Sequence, residues 1–209
     1  MGTLQNRAES DFAGDAGLPP GGIKLSNALK TLLKSKDFNS ITTAEISRTA
    51  GTNEALIYRY FKDKRGLLHQ VLDEYLADFN AELITAMQAT QGAADKIRKL
   101  IRSHIGIYDT NRVLAKILLL EVRNFPGYFE SSTYRVVKRY GSFLKDLIEQ
   151  GVEEGSIRGD IPSASIRDLI LGGIEHQCMA PVIFGREIDV DGIAEQLVDM
   201  IFKGIENKI

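Results

Sequence analysis

The chain has 209 residues, 44% of them apolar, which suits one large or two small domains with a filled core. A single cysteine, Cys178, excludes an internal disulfide framework. With no long unbroken apolar run and no basic-then-apolar leader at the N-terminus, the expectation is a cytoplasmic protein that neither spans nor binds a membrane. The net charge of −2 hides an asymmetry: residues 24–66 carry +5, residues 1–23 carry −2 and residues 67–209 carry −5. A basic head on an acidic body is the distribution expected when only the head meets a polyanion.

In chain order, residues 1–22 contain several glycines, the pair Pro19-Pro20 and few large apolar groups, and read as a disordered tail. Residues 23–36 place Leu25, Ala28, Leu29, Leu32 and Leu33 on one stripe, the pattern of an amphipathic helix. The stretch TTAEISRTAGTNEALIYRYFKDKRGLL (residues 42–68) then carries the densest signals. Thr42 and Glu45 have capping-box spacing, Gly51 supplies the left-handed residue that ends a helix, and Thr52 and Asn53 are good caps for the next. A second short helix is expected over 54–61, with Ile57 and Phe61 inward. Asp63 is placed to cap a third. A short helix, a glycine turn and a second short helix make helix-turn-helix spacing, in which the second helix enters the DNA major groove.

The third helix continues without interruption to about residue 87, which at about 1.5 Å per residue makes a rod near 36 Å long. Such a rod links a head to a body and suits an allosteric protein. Beyond Gly92 the apolar periodicity predicts helices over 93–108, 113–125, 132–154, 160–184 and 190–205. Nine helices and no strand define an all-α chain. Its parts are a helix-turn-helix unit over 23–68 and a helical effector-binding and dimerisation unit over 69–209.

The string over 41–68 resembles the DNA-binding region of the TetR family of bacterial transcriptional regulators, T-T-x-x-x-I-(A/S)-x-x-A-G-x-(S/T/N)-x-x-x-(L/I)-Y-x-(Y/H)-F-x-x-K-x-x-L-L. Thr42, Thr43, Ile46, Ser47, Ala50, Gly51, Asn53, Ile57, Tyr58, Tyr60, Phe61, Lys64, Leu67 and Leu68 all fall in register. By position in that motif, Thr43, Tyr58, Tyr60 and Lys64 are implied to grip phosphates. Thr52, Asn53, Glu54, Ala55 and Arg59 are the groove-side candidates. Glu54 departs from the small or basic residue often found at its place. An acid there costs affinity for DNA unless it accepts from a cytosine amino group or pairs with a base such as Arg59.

One head reads few base pairs, so a two-fold dimer on a palindromic operator is expected. The resemblance implies that the last two long helices form the dimer surface, with Leu169, Leu171, Gly172, Gly173 and Ile174 on one and Ile201 and Phe202 on the other. Polar and aromatic groups in the middle helices suit an apolar pocket with a few anchors. They are His104, Tyr108, Glu121, Arg123, Asn124 and Phe125, then Tyr128, Phe129 and Tyr134, then His176, Gln177 and Cys178. The segments EVRNFPGYFESSTY and LGGIEH resemble family members that regulate fatty-acid metabolism, which implies a long-chain acyl-CoA or another small lipophilic effector. Repression is the family default. No nucleophile motif, paired Glu-x-x-His or Cys/His cluster is visible, so no enzyme, metal or cofactor is expected. The competing reading is a DNA-binding protein whose body binds a protein partner.

Overall fold

The computed structural model describes residues 17–205, which form nine α-helices and no β-strand. The first, α1 (Pro20–Leu33), begins three residues earlier than expected. Proline at a first helical position loses only an N–H that the helix would leave free, and its φ is already helical. Gly22 and Ile23 both donate to the Pro19 carbonyl, at 2.8 and 3.1 Å. The expected tail is therefore shorter: residues 20–22 are the first turn of α1, and residues 1–16 lie outside the described residues. A Cβ on Gly21 would sit 3.1 Å from Leu56 Cδ1 and 3.4 Å from Tyr60 Cε2, so the glycine lets α1 lie close against the helix that carries these two residues.

After a short 3-10 turn (Phe38–Ser40), α2 (Thr43–Ala50) starts behind Thr42, whose hydroxyl accepts from the Glu45 N–H at 3.1 Å. Only this half of the capping box forms. The Glu45 carboxylate turns to Lys36, 2.5 Å away, because an ammonium is a stronger partner than a backbone amide. Gly51 ends α2 at φ 60°, ψ 40°. Asn53 Oδ1 accepts from Ala55 N at 2.8 Å, and α3 (Ala55–Phe61) follows one residue later than expected. Asp63 caps α4 (Lys64–Gln88), accepting from Gly66 N at 2.7 Å. The chain enters α4 so tightly that a Cβ on Gly66 would lie 1.8 Å from the Phe61 carbonyl oxygen.

In the body, α5 (Ala93–Thr110) is the central helix. It packs against α4, α7 (Ser132–Glu153), α8 (Ser163–Phe184) and α9 (Val190–Ile205). The helix expected over 113–125 is shorter and irregular. Helix α6 (Arg112–Lys116) runs into a widened π turn (Ile117–Glu121), where Val122 N donates to Ile117 O at 3.2 Å. Pro126 excludes helical backbone at Phe125, which is extended at φ −89°, ψ 129°, and a 3-10 turn (Pro126–Glu130) completes the connection.

Two apolar clusters result. The head cluster centres on the fully buried Leu25, Leu29, Ile46, Ile57, Leu67 and Leu68, and it also takes in Leu114, Ile117, Leu118 and Val122. The body cluster contains Ala115 and Leu119 from the same segment. Residues 114–122 thus divide their faces between head and body. Among the described residues no helix is long and apolar enough to cross a membrane.

Candidate nucleic-acid interface and body site

On α3, Ile57 and Phe61 are buried against α4 and the head core, while Ala55, Tyr58 and Arg59 are exposed on the opposite face. Tyr58, 55% exposed, has no packing role that would explain so much open aromatic surface. Asn53 is exposed but its carbonyl is engaged as a cap, leaving its amino group outward. Thr52 is half-buried, and its hydroxyl oxygen is buried without a hydrogen-bond partner. Tyr60 is only half-exposed, set edge-on to Phe61 at 6.2 Å and against α1 at Gly21, so it is largely part of the seam.

Glu54 does not pair with Arg59. The Thr43 hydroxyl donates to Glu54 Oε1 at 2.5 Å, joining the first residue of α2 to the residue before α3. The Arg59 guanidinium lies over the Tyr60 ring at 5.7 Å. Lys64 also differs from expectation. Its ammonium donates to the Phe38 and Ile41 carbonyls, at 2.9 and 2.7 Å, and sits 4.4 Å from the Phe38 ring centroid. Burial, with Arg65 beside it, lowers its pKa. Lys64 is therefore turned inward as a lock on the turn before α2. A lysine reaches two backbone acceptors as readily as a phosphate when the chain brings them within its stem length.

Four of the twelve expected pocket residues converge in the body: His104 and Tyr108 on α5, Arg123 in the irregular segment, and the buried Cys178 on α8; Tyr128, beside Arg123, is buried in the head cluster instead. His104 Nδ1 lies 3.0 Å from the Tyr140 hydroxyl, and its ring stacks on Tyr108 with centroids 5.4 Å apart. Phe79 closes the cluster, 5.7 Å from His104 and 5.5 Å from Tyr140. Burial, aided by Arg123, lowers the His104 pKa to about 4, so the ring is neutral near pH 7. Burial also raises the Tyr108 and Tyr140 hydroxyls and pushes the Cys178 thiol up to about 11. Burial works against the Arg123 charge, but its hydrogen bond to Glu175 at 2.5 Å more than offsets this. Phe79, Tyr140 and Glu175 were missed in the sequence. The signal was present: Ile174, Glu175, Cys178 and Val182 share one helical face, and that phase points Glu175 inward while turning His176 and Gln177 out.

The remaining expected pocket residues lie elsewhere. Glu121 accepts from Asn39 across the head–body seam at 3.4 Å, and Asn124 donates to the Leu120 carbonyl of its own turn. Phe125 lies under the Arg65 guanidinium at 4.1 Å, while Phe129 and Tyr134 meet edge to face with centroids 5.1 Å apart around the 3-10 turn. His69 Nδ1 meets Thr133 Oγ1 at 2.9 Å, and Thr133 donates to Asp73 at 2.7 Å, tying α4 to α7 at the same level.

Of the expected dimer residues, Ile174, Ile201 and Phe202 are buried within this chain's own core, with Phe202 under Arg98 at 3.7 Å. Gly173 faces Leu197 of α9, where a Cβ would lie 3.3 Å from Cδ2, and Leu171 is half-buried against the body core. Only Leu169, 57% exposed, and Gly172, with nothing near it, face outward. Phe184 on α8, 68% exposed, and Met200 on α9, 59% exposed, are further open apolar side chains and were not singled out.

Residues 26–71 match the family model for bacterial regulatory proteins of the tetR family, and residues 72–204 match that for the C-terminal region of YsiA-like proteins. The fatty acid metabolism regulator protein of Bacillus subtilis is 21% identical over 189 residues, covering 90% of this chain and 97% of the relative. The crystal structure of the Bacillus subtilis regulator FadR in complex with stearoyl-CoA superposes with a TM-score of 0.78 at 20% identity, covering 88% of this chain and 98% of that one. The FadR of Bacillus halodurans superposes at 0.79 with 19% identity, covering 92% and 100%.

Proposed function

Because the chain belongs to the TetR family of bacterial regulatory proteins, we propose that it represses transcription as a two-fold dimer on a palindromic operator and is released by a long-chain acyl-CoA. It is a ligand-responsive DNA-binding regulator and not an enzyme. The observation that carries the DNA reading is the split of α3: Ile57 and Phe61 are buried, while Ala55, Tyr58 and Arg59 stand open on the basic head. Thr43, through the free N–H at the start of α2, and Tyr58 contact phosphates, and Arg59, Asn53 and Ala55 face the groove floor. Lys64 serves the interface indirectly, by holding the turn that presents Thr42 and Thr43.

The body cluster supports an effector with a long apolar part. Phe79, Tyr108 and Tyr140 offer aromatic surface around a neutral His104, which is half-buried despite being packed among rings. The Arg123–Glu175 pair supplies the polar end. Likeness to regulators of fatty-acid metabolism, one of them crystallised with stearoyl-CoA, favours acyl-CoA over other lipophilic molecules. The open stripe of α8 and α9 bearing Leu169, Gly172, Phe184 and Met200 supports the dimer.

The test is a melting series with stearoyl-CoA, octanoyl-CoA, free stearate and coenzyme A, followed by operator titration with the strongest binder. A ligand of the folded state raises Tm with concentration. Saturating ligand is expected to weaken operator binding about 100-fold, or about 2.7 kcal/mol of coupling, with operator weakening the ligand equally. A raised Tm with unchanged operator affinity sinks the release mechanism.

A further inference from the structure

We infer that Glu54 determines sequence specificity, selecting a cytosine at one position of each operator half-site through a carboxylate that Thr43 holds in place. The inference rests on the reading of the head as a major-groove binder. Its own evidence is the bond from the Thr43 hydroxyl to Glu54 Oε1, which joins the first residue of α2 to the residue before α3, eleven positions on.

Two ways of accommodating an acid at the groove were open: neutralisation by a cation, or use as an acceptor. Among the described residues Glu54 makes no ion pair, and the nearest expected partner, Arg59, lies over Tyr60 instead. The carboxylate is therefore left without a neutralising cation beside a polyanion, where it disfavours any phosphate it approaches. Thr43 takes one lone pair of Oε1 and limits the rotation of the side chain. The other acceptor positions remain open, and a carboxylate has no proton to donate.

In the major groove guanine presents two acceptors, thymine an acceptor and a methyl, and adenine an amino donor beside the N7 acceptor. Cytosine alone presents an amino donor without an adjacent acceptor on its own edge. An acceptor-only group fixed in position therefore favours cytosine, is partly repelled by adenine and is rejected by the other two. Thr43 has a double part: its hydroxyl gives its one proton to the carboxylate, and the free N–H groups at the start of α2 are left for the phosphate.

The experiment is selection from a pool of randomised duplexes by the full-length protein, its Glu54→Gln, Glu54→Ala and Thr43→Val variants, all checked for unchanged melting cooperativity. The wild type is expected to enrich a palindrome with one symmetric cytosine in each half-site. Glu54→Gln, whose amide both donates and accepts, is expected to change that cytosine to adenine and leave other positions as they were. Glu54→Ala flattens that position alone and tightens binding to unrelated duplex. Thr43→Val lowers the cytosine preference about ten-fold, as one mismatched base pair would. Identical enriched sequences from the wild type and Glu54→Gln overturn the inference. A folded wild type that enriches no sequence overturns the operator reading itself, and the inference with it.

Discussion

His104 illustrates how one half-buried side chain links stability to pH. An imidazole in the unfolded chain titrates near its ordinary value of about 6.5, whereas burial holds His104 at about 4 in the folded protein. Between those values the unfolded state binds the additional proton, so stability falls as pH drops from about 6.5 to about 4 and stops falling, for this group, below that. The full loss amounts to at most about 3 kcal/mol, because the ring keeps some contact with solvent. His104→Asn should flatten this part of the stability profile in urea titrations; an unchanged slope would assign the acid sensitivity to other groups. Lys64 and Gly66 make two further cases. Lys64→Met should cost about 1–3 kcal/mol by stranding the Phe38 and Ile41 carbonyls, with operator affinity falling alongside. Gly66→Ala should cost about 3 kcal/mol or more, since its Cβ would be driven against the Phe61 carbonyl and the backbone must move. Calorimetric melting of both variants checks these values. The residue type at each position was legible in the sequence, but the partner of Lys64 was not. A long flexible ammonium stem gives no sign of whether it ends on a phosphate or on two carbonyls.

At the scale of elements, the connection between head and body has two parallel members. Helix α4 carries both clusters along its length, with Leu68 and Leu72 in the head and Phe79, Leu83 and Met87 in the body. The segment 114–122 runs beside it, with Leu118 in the head cluster and Leu119 in the body cluster. Its π turn shifts the helical phase within one turn, which lets adjacent leucines serve opposite sides. Arg123 follows directly and reaches Glu175 on α8, so the segment touches the head, the body cluster and the exposed helix at once. Leu118→Ala should destabilise the protein by about 2–5 kcal/mol. It should also reduce the effect of effector on operator binding, which comparison of operator titrations with and without acyl-CoA would measure. An unchanged ratio of affinities would place the coupling in α4 alone. Periodicity predicted α4 to within a residue or two because it is long and has one continuous apolar face. It missed the irregularity over 113–125 because the unbroken apolar run Ile117–Leu120, shared between two cores, has no stripe to read.

At the scale of the whole molecule, the open face of α8 and α9 sets a test of assembly. Leu169 and Phe184 are exposed in the single chain, so Leu169→Glu with Phe184→Glu leaves the protomer's own core intact. Light scattering should then report a monomer of about half the mass, with operator affinity lowered because one head alone engages its half-site. A variant that remains dimeric would move the interface off this face. What the sequence determined by itself was the helical class, the position of the helix-turn-helix and the basic head, because capping residues, turn glycines and a 3.6-residue stripe are local signals set by the backbone. Tertiary structure alone decided which side of α8 is exposed, that Ile201 and Phe202 are buried, that Glu54 meets Thr43 instead of Arg59, and that His104 gathers Tyr108, Tyr140 and Phe79. These depend on contacts between residues far apart in the chain, where helix phase and packing angle select one neighbour from many of the same chemistry.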